Sequence, residues 1–168
     1  MLIDNTYFQG SGLFNVPNID RENPVEEGNY NQLTAFIKVY EPEICRRVIG
    51  KTLYDALITG LAAASPEQRW IDLRDKLIDS VNLKSPVANY VWFRMWQQGQ
   101  RKSTTAGDVT LNSPGMTVDG NIQLSCLVWN EMVQMFSDFT DWFISHESDY
   151  VEWTGELGSF DRLNIYGI

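Results

Sequence analysis

Apolar residues recur along this chain at helical intervals, and the breaks between the stripes are marked by proline, glycine and capping residues. Leu33, Phe36, Ile37 and Tyr40 fall at i, i+3, i+4 and i+7, one face of a helix. Asn29 can cap that helix, with Gln32 at the capping-box position. Pro42 suits the start of a second helix, EPEICRRVIG, which Gly50 can terminate. Leu53, Ala56, Leu57 and Leu61 carry a further amphipathic stretch to about Ala64. Ser65-Pro66 and Ser85-Pro86 each place a capping hydroxyl before a proline at the first helical position. The first of these predicts a helix over Pro66–Asp79 that buries Trp70, Leu73 and Leu77. The second predicts Pro86 to about Gln98, where Val87, Tyr90, Val91, Trp92, Phe93, Met95 and Trp96 leave no polar face before Arg94. A helix that is apolar all round belongs at the centre of a core or in an interface, and the central position is expected here.

The stretch from Gln97 to Gly120 breaks the pattern. It is polar and rich in Gly, Ser and Thr, and Asp108–Leu111 and Met116–Val118 flank an Asn112-Ser-Pro-Gly turn. Pro114 and Gly115 suit a type II turn, so a β-hairpin or extended arm over residues 101–120 is expected, either projecting or folded back on the bundle. A long helix from about Asn121 to Ser145 follows, with Ile122, Cys126, Trp129, Val133, Phe136, Phe139 and Phe143 along its stripe. The expected architecture is mainly α: a small bundle of about five helices over residues 29–150, an extended lead over 1–28 and an irregular tail over 151–168. Trp153 is expected to be exposed in that tail.

A chain of 168 residues, 43% apolar, is about one domain. It has no apolar run of membrane-spanning length and no signal-peptide pattern at its N-terminus, so no membrane association is expected. Cys45 and Cys126 sit among apolar neighbours and read as reduced core thiols in a cytoplasmic setting. Charge is uneven. Residues 1–102 hold twelve Lys/Arg and twelve Asp/Glu, whereas residues 103–168 hold Arg162 alone against ten acids, so the net −9 lies entirely in the second part. That balance argues against a general nucleic-acid binder, whose affinity comes from neutralising phosphates. It fits a solubilising surface, one that DNA passes without adhering, or one that meets a basic partner.

Candidate chemistry is thin. Gly50-Lys51-Thr52 ends like a phosphate-binding loop, but Cys45 stands where a glycine is needed and the preceding segment reads as helix. His146 is the only histidine, which excludes sites with two imidazoles, and it reads as a surface residue near a helix C-terminus. Asp72, Asp75 and Asp79 are interleaved with Arg69, Arg74 and Lys76, as on a solvated face with i,i+4 ion pairs. Asp138 and Asp141 lie one turn apart without a basic neighbour and are the better metal candidates, though no metal, cofactor or catalytic residue is assigned.

Several strings carry a resemblance. YEPEICRRVIGKTLYDAL, SPVANYVWF, RKSTTAGDV, VWNEMV and LNIYGI resemble small proteins encoded in tailed-phage and prophage structural modules of Bacteroides-type bacteria, over about Tyr40–Ile168. Size, helical reading and arm look like head–tail connector (adaptor) proteins, which form a ring beneath the portal. The resemblance implies a non-enzymatic virion-assembly protein, present in the host cytoplasm during assembly and then in the virion. Its implied partners are copies of itself, portal and tail or neck proteins, and DNA passing without tight binding. It implies an interaction arm carrying Thr104, Thr105, Asp108, Val109, Leu111, Pro114, Met116 and Val118. It further implies tail contacts through Trp153, Phe160, Ile165, Tyr166 and Ile168. An acidic surface of Asp138, Asp141, Glu147, Asp149 and Glu152 would face the channel. Two other readings remain open: an acidic inhibitor or immunity-type protein masking a basic partner, and a small hydrolase or metal enzyme using Asp138, Asp141 and His146.

Overall fold

A computed structural model describes residues 1–9, 16, 19, 22–23, 26–99, 101–104, 107–110, 118–153, 155 and 157–164. It is a small helical bundle. Its five α-helices among the described residues are α1 (Glu27–Ile49), α2 (Lys51–Leu61), α3 (Gln68–Ile78), α4 (Pro86–Gly99) and α5 (Val118–Ile144). Two short strands, β1 (Arg101–Thr104) and β2 (Gly107–Thr110), lie between α4 and α5, and 3₁₀ turns occur at Asn5–Phe8 and Glu147–Asp149.

The helix expected at the centre is there. Eight consecutive residues of α4, Pro86 through Phe93, are buried, so every face of its first two turns needs a cover. α1 and α5 supply most of it and α3 the rest. The Ser85 hydroxyl accepts from the Val87 amide at 3.2 Å, the cap its sequence position called for. The one amide side chain in that buried run, Asn89, donates to the Val128 carbonyl at 3.1 Å and to Glu131 Oε2 at 2.9 Å. This satisfies a polar group that would otherwise be costly to bury and ties α4 to α5.

Several helix boundaries differ from expectation. α1 begins at Glu27 rather than after Asn29, and it runs through Pro42 to Ile49 as one helix. An interior proline costs about 3 kcal/mol. Beyond it, Ile44, Cys45, Val48 and Ile49 are all buried, at roughly 1.5–3 kcal/mol for each large aliphatic side chain, so continuing the helix wins. α3 starts at Gln68 with Glu67, not Ser65, at the cap position, and its end is marked by Asp79 in the left-handed region at φ 35°. The Asp79 carboxylate accepts from the Asn82 amide at 3.1 Å, a local bond that favours this conformation for aspartate. Gly50, at φ 81°, makes the turn from α1 to α2 and needs to be glycine.

The strand pairing also differs. β1 and β2 pair antiparallel with Lys102 opposite Val109 and Thr104 opposite Gly107. Asp108 and Val109 therefore pair backwards with Ser103 and Lys102, not forwards with Met116–Val118, and Val118 opens α5. The link between these strands falls at 105–106, the turn expected at Asn112–Gly115 lies outside the described residues, and an α5 that starts three residues early takes Val118 from the expected second strand. Thr105, Leu111, Pro114 and Met116 lie outside the described residues.

Lead and tail both join the core. Ile3, Tyr7 and Phe8 are buried. Glu41, 1% exposed, accepts the main-chain amides of Leu2 at 2.8 Å and Ile3 at 3.0 Å through the same oxygen. Trp153, expected in solvent, is half-buried edge-on against Phe143, with its indole N–H enclosed. Phe160 stacks on Phe136 at 5.4 Å. Ile165, Tyr166 and Ile168 lie outside the described residues. Cys45 and Cys126 are buried and unlinked.

Two consequences are measurable. A Cβ on Gly60 would lie 2.3 Å from the indole of the buried Trp70, so Gly60→Ala should destabilise the fold by about 1–3 kcal/mol in urea denaturation despite alanine's better helix propensity. No loss would show that Trp70 can retreat. Burial pushes the Glu41 carboxyl up, with the Ile3 and Leu2 amides pulling back. Such a group favours folding at pH below its unfolded pKa of about 4.3 and loses that contribution as pH rises through its raised folded value. The stability of Glu41→Gln relative to the unsubstituted chain should therefore rise from acid to neutral pH, and a difference that stays flat would contradict the buried charge.

Candidate functional site: the groove between α3 and α5

Five carboxylates line an open groove of about 910 Å³ between α3, α5 and the turn at Glu147–Asp149. Asp72, Asp75 and Asp79 come from α3 and its C-cap, and Asp138 from α5. Asp149 and Tyr150 come from the turn, with Pro86, Met135, Phe139 and Trp142 forming the apolar lining. Helical spacing explains the α5 contribution, since Met135, Asp138, Phe139 and Trp142 follow at i, i+3, i+4 and i+7 on one face.

The groove is not purely acidic. Arg69, Lys76 and Lys84 line it too, three cations against five carboxylates. Arg69 grips Glu152 with both terminal guanidinium nitrogens, at 2.9 and 3.0 Å, and its Nε also reaches Glu67 at 2.9 Å. Lys76 lies 5.9 Å over the Trp142 ring. The i,i+4 ion pairs expected along α3 are replaced by other contacts: Asp72 accepts from Gln68 Nε2 at 2.8 Å, and Asp75 pairs with its neighbour Arg74 at 2.7 Å. Asp138 accepts from Gln134 at 2.9 Å. Tyr150 donates its hydroxyl to the Arg69 carbonyl at 2.9 Å, and burial, with Asp72 and Asp149 adding to it, raises its pKa to about 12.

Of the five residues expected to form an acidic surface, Asp138 and Asp149 line the groove, while Asp141 and Glu147 are exposed outside it. Glu152 is neutralised by Arg69. The charge segregation along the sequence is therefore partly undone in space. Asp138, Asp141 and His146 do not converge, and no group of three His, Cys, Asp or Glu among the described residues could hold a metal ion. His146 stacks on Trp142 with ring centroids 4.7 Å apart, and its Nδ1 lies 2.9 Å from both the Trp142 carbonyl and Ser145 Oγ. The Ser145 hydroxyl donates to that same carbonyl at 2.6 Å, so its proton faces a main-chain oxygen and not the imidazole. That geometry does not activate a nucleophile. The phosphate-loop likeness at Gly50-Lys51-Thr52 also ends here: helix α1 precedes it, and Lys51 pairs with Asp55 at 2.7 Å.

Lys84, Trp142 and Tyr150 are groove residues that sequence reasoning did not single out, and Arg69 figured there only as a charge interleaved with the α3 aspartates. Only Trp142 carried a signal, its i+4 step from Asp138. Chemically, the groove offers carboxylates and an aromatic face to a cationic or aromatic group, in contact with solvent. No family model, no curated protein and no solved structure matches this chain. Among the described residues, no helix is long and apolar enough to cross a membrane.

The Arg69 side chain holds the Glu152 carboxyl below its ordinary range. Its contribution to stability is present above the unfolded pKa of about 4.3 and is lost as pH falls through the lower folded value. Both partners are about one-quarter exposed, so Glu152→Gln should cost about 1 kcal/mol near neutral pH and nothing in strong acid. An equal cost at both pH values would assign the loss to packing instead.

Proposed function

We propose that this chain is a non-enzymatic structural protein of phage or prophage virion assembly, a subunit of the head–tail connector ring that binds the portal and neck. Its partners on this reading are further copies of itself and the portal and tail or neck proteins, with DNA passing without tight binding. It acts in the host cytoplasm during assembly and then in the virion. The sequence resemblance over Tyr40–Ile168 supplies the family, and the observation that carries the reading is the β1–β2 pair.

Those strands contact chiefly each other and the end of α4 from which they emerge. No third strand joins them among the described residues. A ribbon of that kind is suited to pairing with a neighbour's backbone, and head-to-tail contacts of one patch on another generate rings when the rotation closes. Exposed Asp141 and Glu147, with Asp138 and Asp149 at the groove, supply the charge that would keep DNA from adhering.

The groove itself favours a second reading, an acidic inhibitor or immunity-type protein that masks a basic partner. Five carboxylates beside Trp142 could receive Lys or Arg side chains. That reading requires tight one-to-one binding that weakens with salt.

Replacing residues 102–109 by a short Gly-Ser link separates these readings. The connector account predicts a variant with unchanged helical circular dichroism that neither self-assembles nor recovers portal or neck proteins from source cells. Unchanged assembly would remove the ribbon from the contact, and unfolding would make it part of the core.

A further inference from the structure

Glu41 is the one charged residue buried among the described residues, and its two oxygens are unequally matched. Oε2 accepts from the Leu2 and Ile3 amides at 2.8 and 3.0 Å. Oε1 is enclosed without a hydrogen-bond partner. The cation that pairs with it, the Met1 amine, stands 3.9 Å away and is itself 40% exposed. Two other titratable groups face the carboxyl, Cys45 one turn along α1 and Tyr54 from α2. Burial pushes both of these up, out of the range in which a carboxyl titrates.

An ionised carboxylate kept from water with one oxygen unmatched is strongly disfavoured, and its neutral form much less so. Water can reach Oε1 by unfolding of α1 or by lifting of the three residues that bond across it. Lifting disturbs far less. Of those three, Ile3 alone has a fully buried side chain, while Leu2 is half-buried and Met1 exposed. The chain is anchored again directly behind them. Asp4 accepts from the Thr6 amide at 2.9 Å, and Asn5 lies against Thr34 of α1 at 3.5 Å. Phe8 is fully buried, and its carbonyl accepts from the Val16 amide at 3.0 Å. Asp4 is therefore the natural hinge, at the end of the chain where opening is easiest.

We propose that Met1–Ile3 is a pH-operated latch on α1, closed while Glu41 carries its proton and lifting about Asp4, with the five helices intact, as Glu41 ionises. Opening it leaves a carboxylate at the base of the slot that Ile3 vacates, on the face of α1 that Ile37 and Ile44 share with Glu41 at i−4 and i+3. Exposure of that face thus becomes a function of pH. The sign follows from linkage. Burial holds the carboxyl above its ordinary range in the closed state, against the pull of the Ile3 and Leu2 amides and the Met1 amine. The closed state is accordingly favoured below the ordinary carboxyl value, and it loses that advantage as pH rises through the closed-state value.

Hydrogen exchange at the Ile3 amide of the full chain, divided by the intrinsic rate at each pH, measures the opening constant. It should rise several-fold between about pH 5 and about pH 8, while the Ile44 and Val48 amides of α1 keep their own constants. Glu41→Gln retains an oxygen for the two amides and cannot ionise, so its constant should stay level over that range. Glu41→Met, which offers no acceptor, should leave the latch open at every pH with unchanged helical circular dichroism, and it serves as the non-ionising control if the glutamine variant fails to fold. A constant that stays level in the unsubstituted chain, or that rises equally in the non-ionising variant, would overturn the role of Glu41. A rise shared in step by the α1 amides would mean that the whole bundle opens, and the latch would fall.

Discussion

Eight consecutive buried residues in α4 constrain everything else in this molecule. An element with no polar face must be enclosed, and one or two neighbours cannot enclose a helix. α1 and α5 supply most of the cover and α3 the rest, and Asn89 bonds to the Val128 carbonyl and Glu131. The length of α1 follows from the same demand. Stopping at Pro42 would strip Ile44, Cys45, Val48 and Ile49 from the core, so the helix absorbs the proline instead. The chain's ends then seal what the helices leave open, Ile3 and Phe8 at one end and Phe160 at the other.

Much of this was legible in the sequence, where the chemistry is local. The Ser85-Pro86 start, the Gly50 turn, the burial of Trp70, Leu73 and Leu77 and the central place of α4 all follow from residues within a turn or two of each other. What escaped is held by non-local contacts. The lead docks because one carboxylate, Glu41, offers an oxygen to two amides some forty residues away in sequence. The tail docks through main-chain groups, which leave no side-chain pattern to read. Strand pairing was misplaced because alternation flanks the Asn112–Gly115 stretch, whereas the observed partner strand, Arg101–Thr104, is wholly polar and carries no alternation to read.

The groove shows the same limit in electrostatic form. Counting charges along the chain suggested an acidic second part facing one way. In the folded protein Arg69 crosses to clamp Glu152, and Lys76 and Lys84 share a wall with Asp138 and Asp149. Helical spacing puts Asp138 and Trp142 on one face of α5, but nothing in the sequence places α3 opposite them. A surface built this way is less uniform than its composition implies, and any partner meets carboxylates, cations and an aromatic ring together.

The central claim is that this chain works as part of an assembled particle, and the most direct measurement is the protein composition of tailed particles purified from induced source cells. The account predicts that the chain copurifies with portal and neck proteins in a fixed, multi-copy ratio. Particles that carry portal and tail but lack this chain, with the protein recovered instead bound one-to-one to a basic enzyme, would contradict it and leave the acidic groove as the working surface.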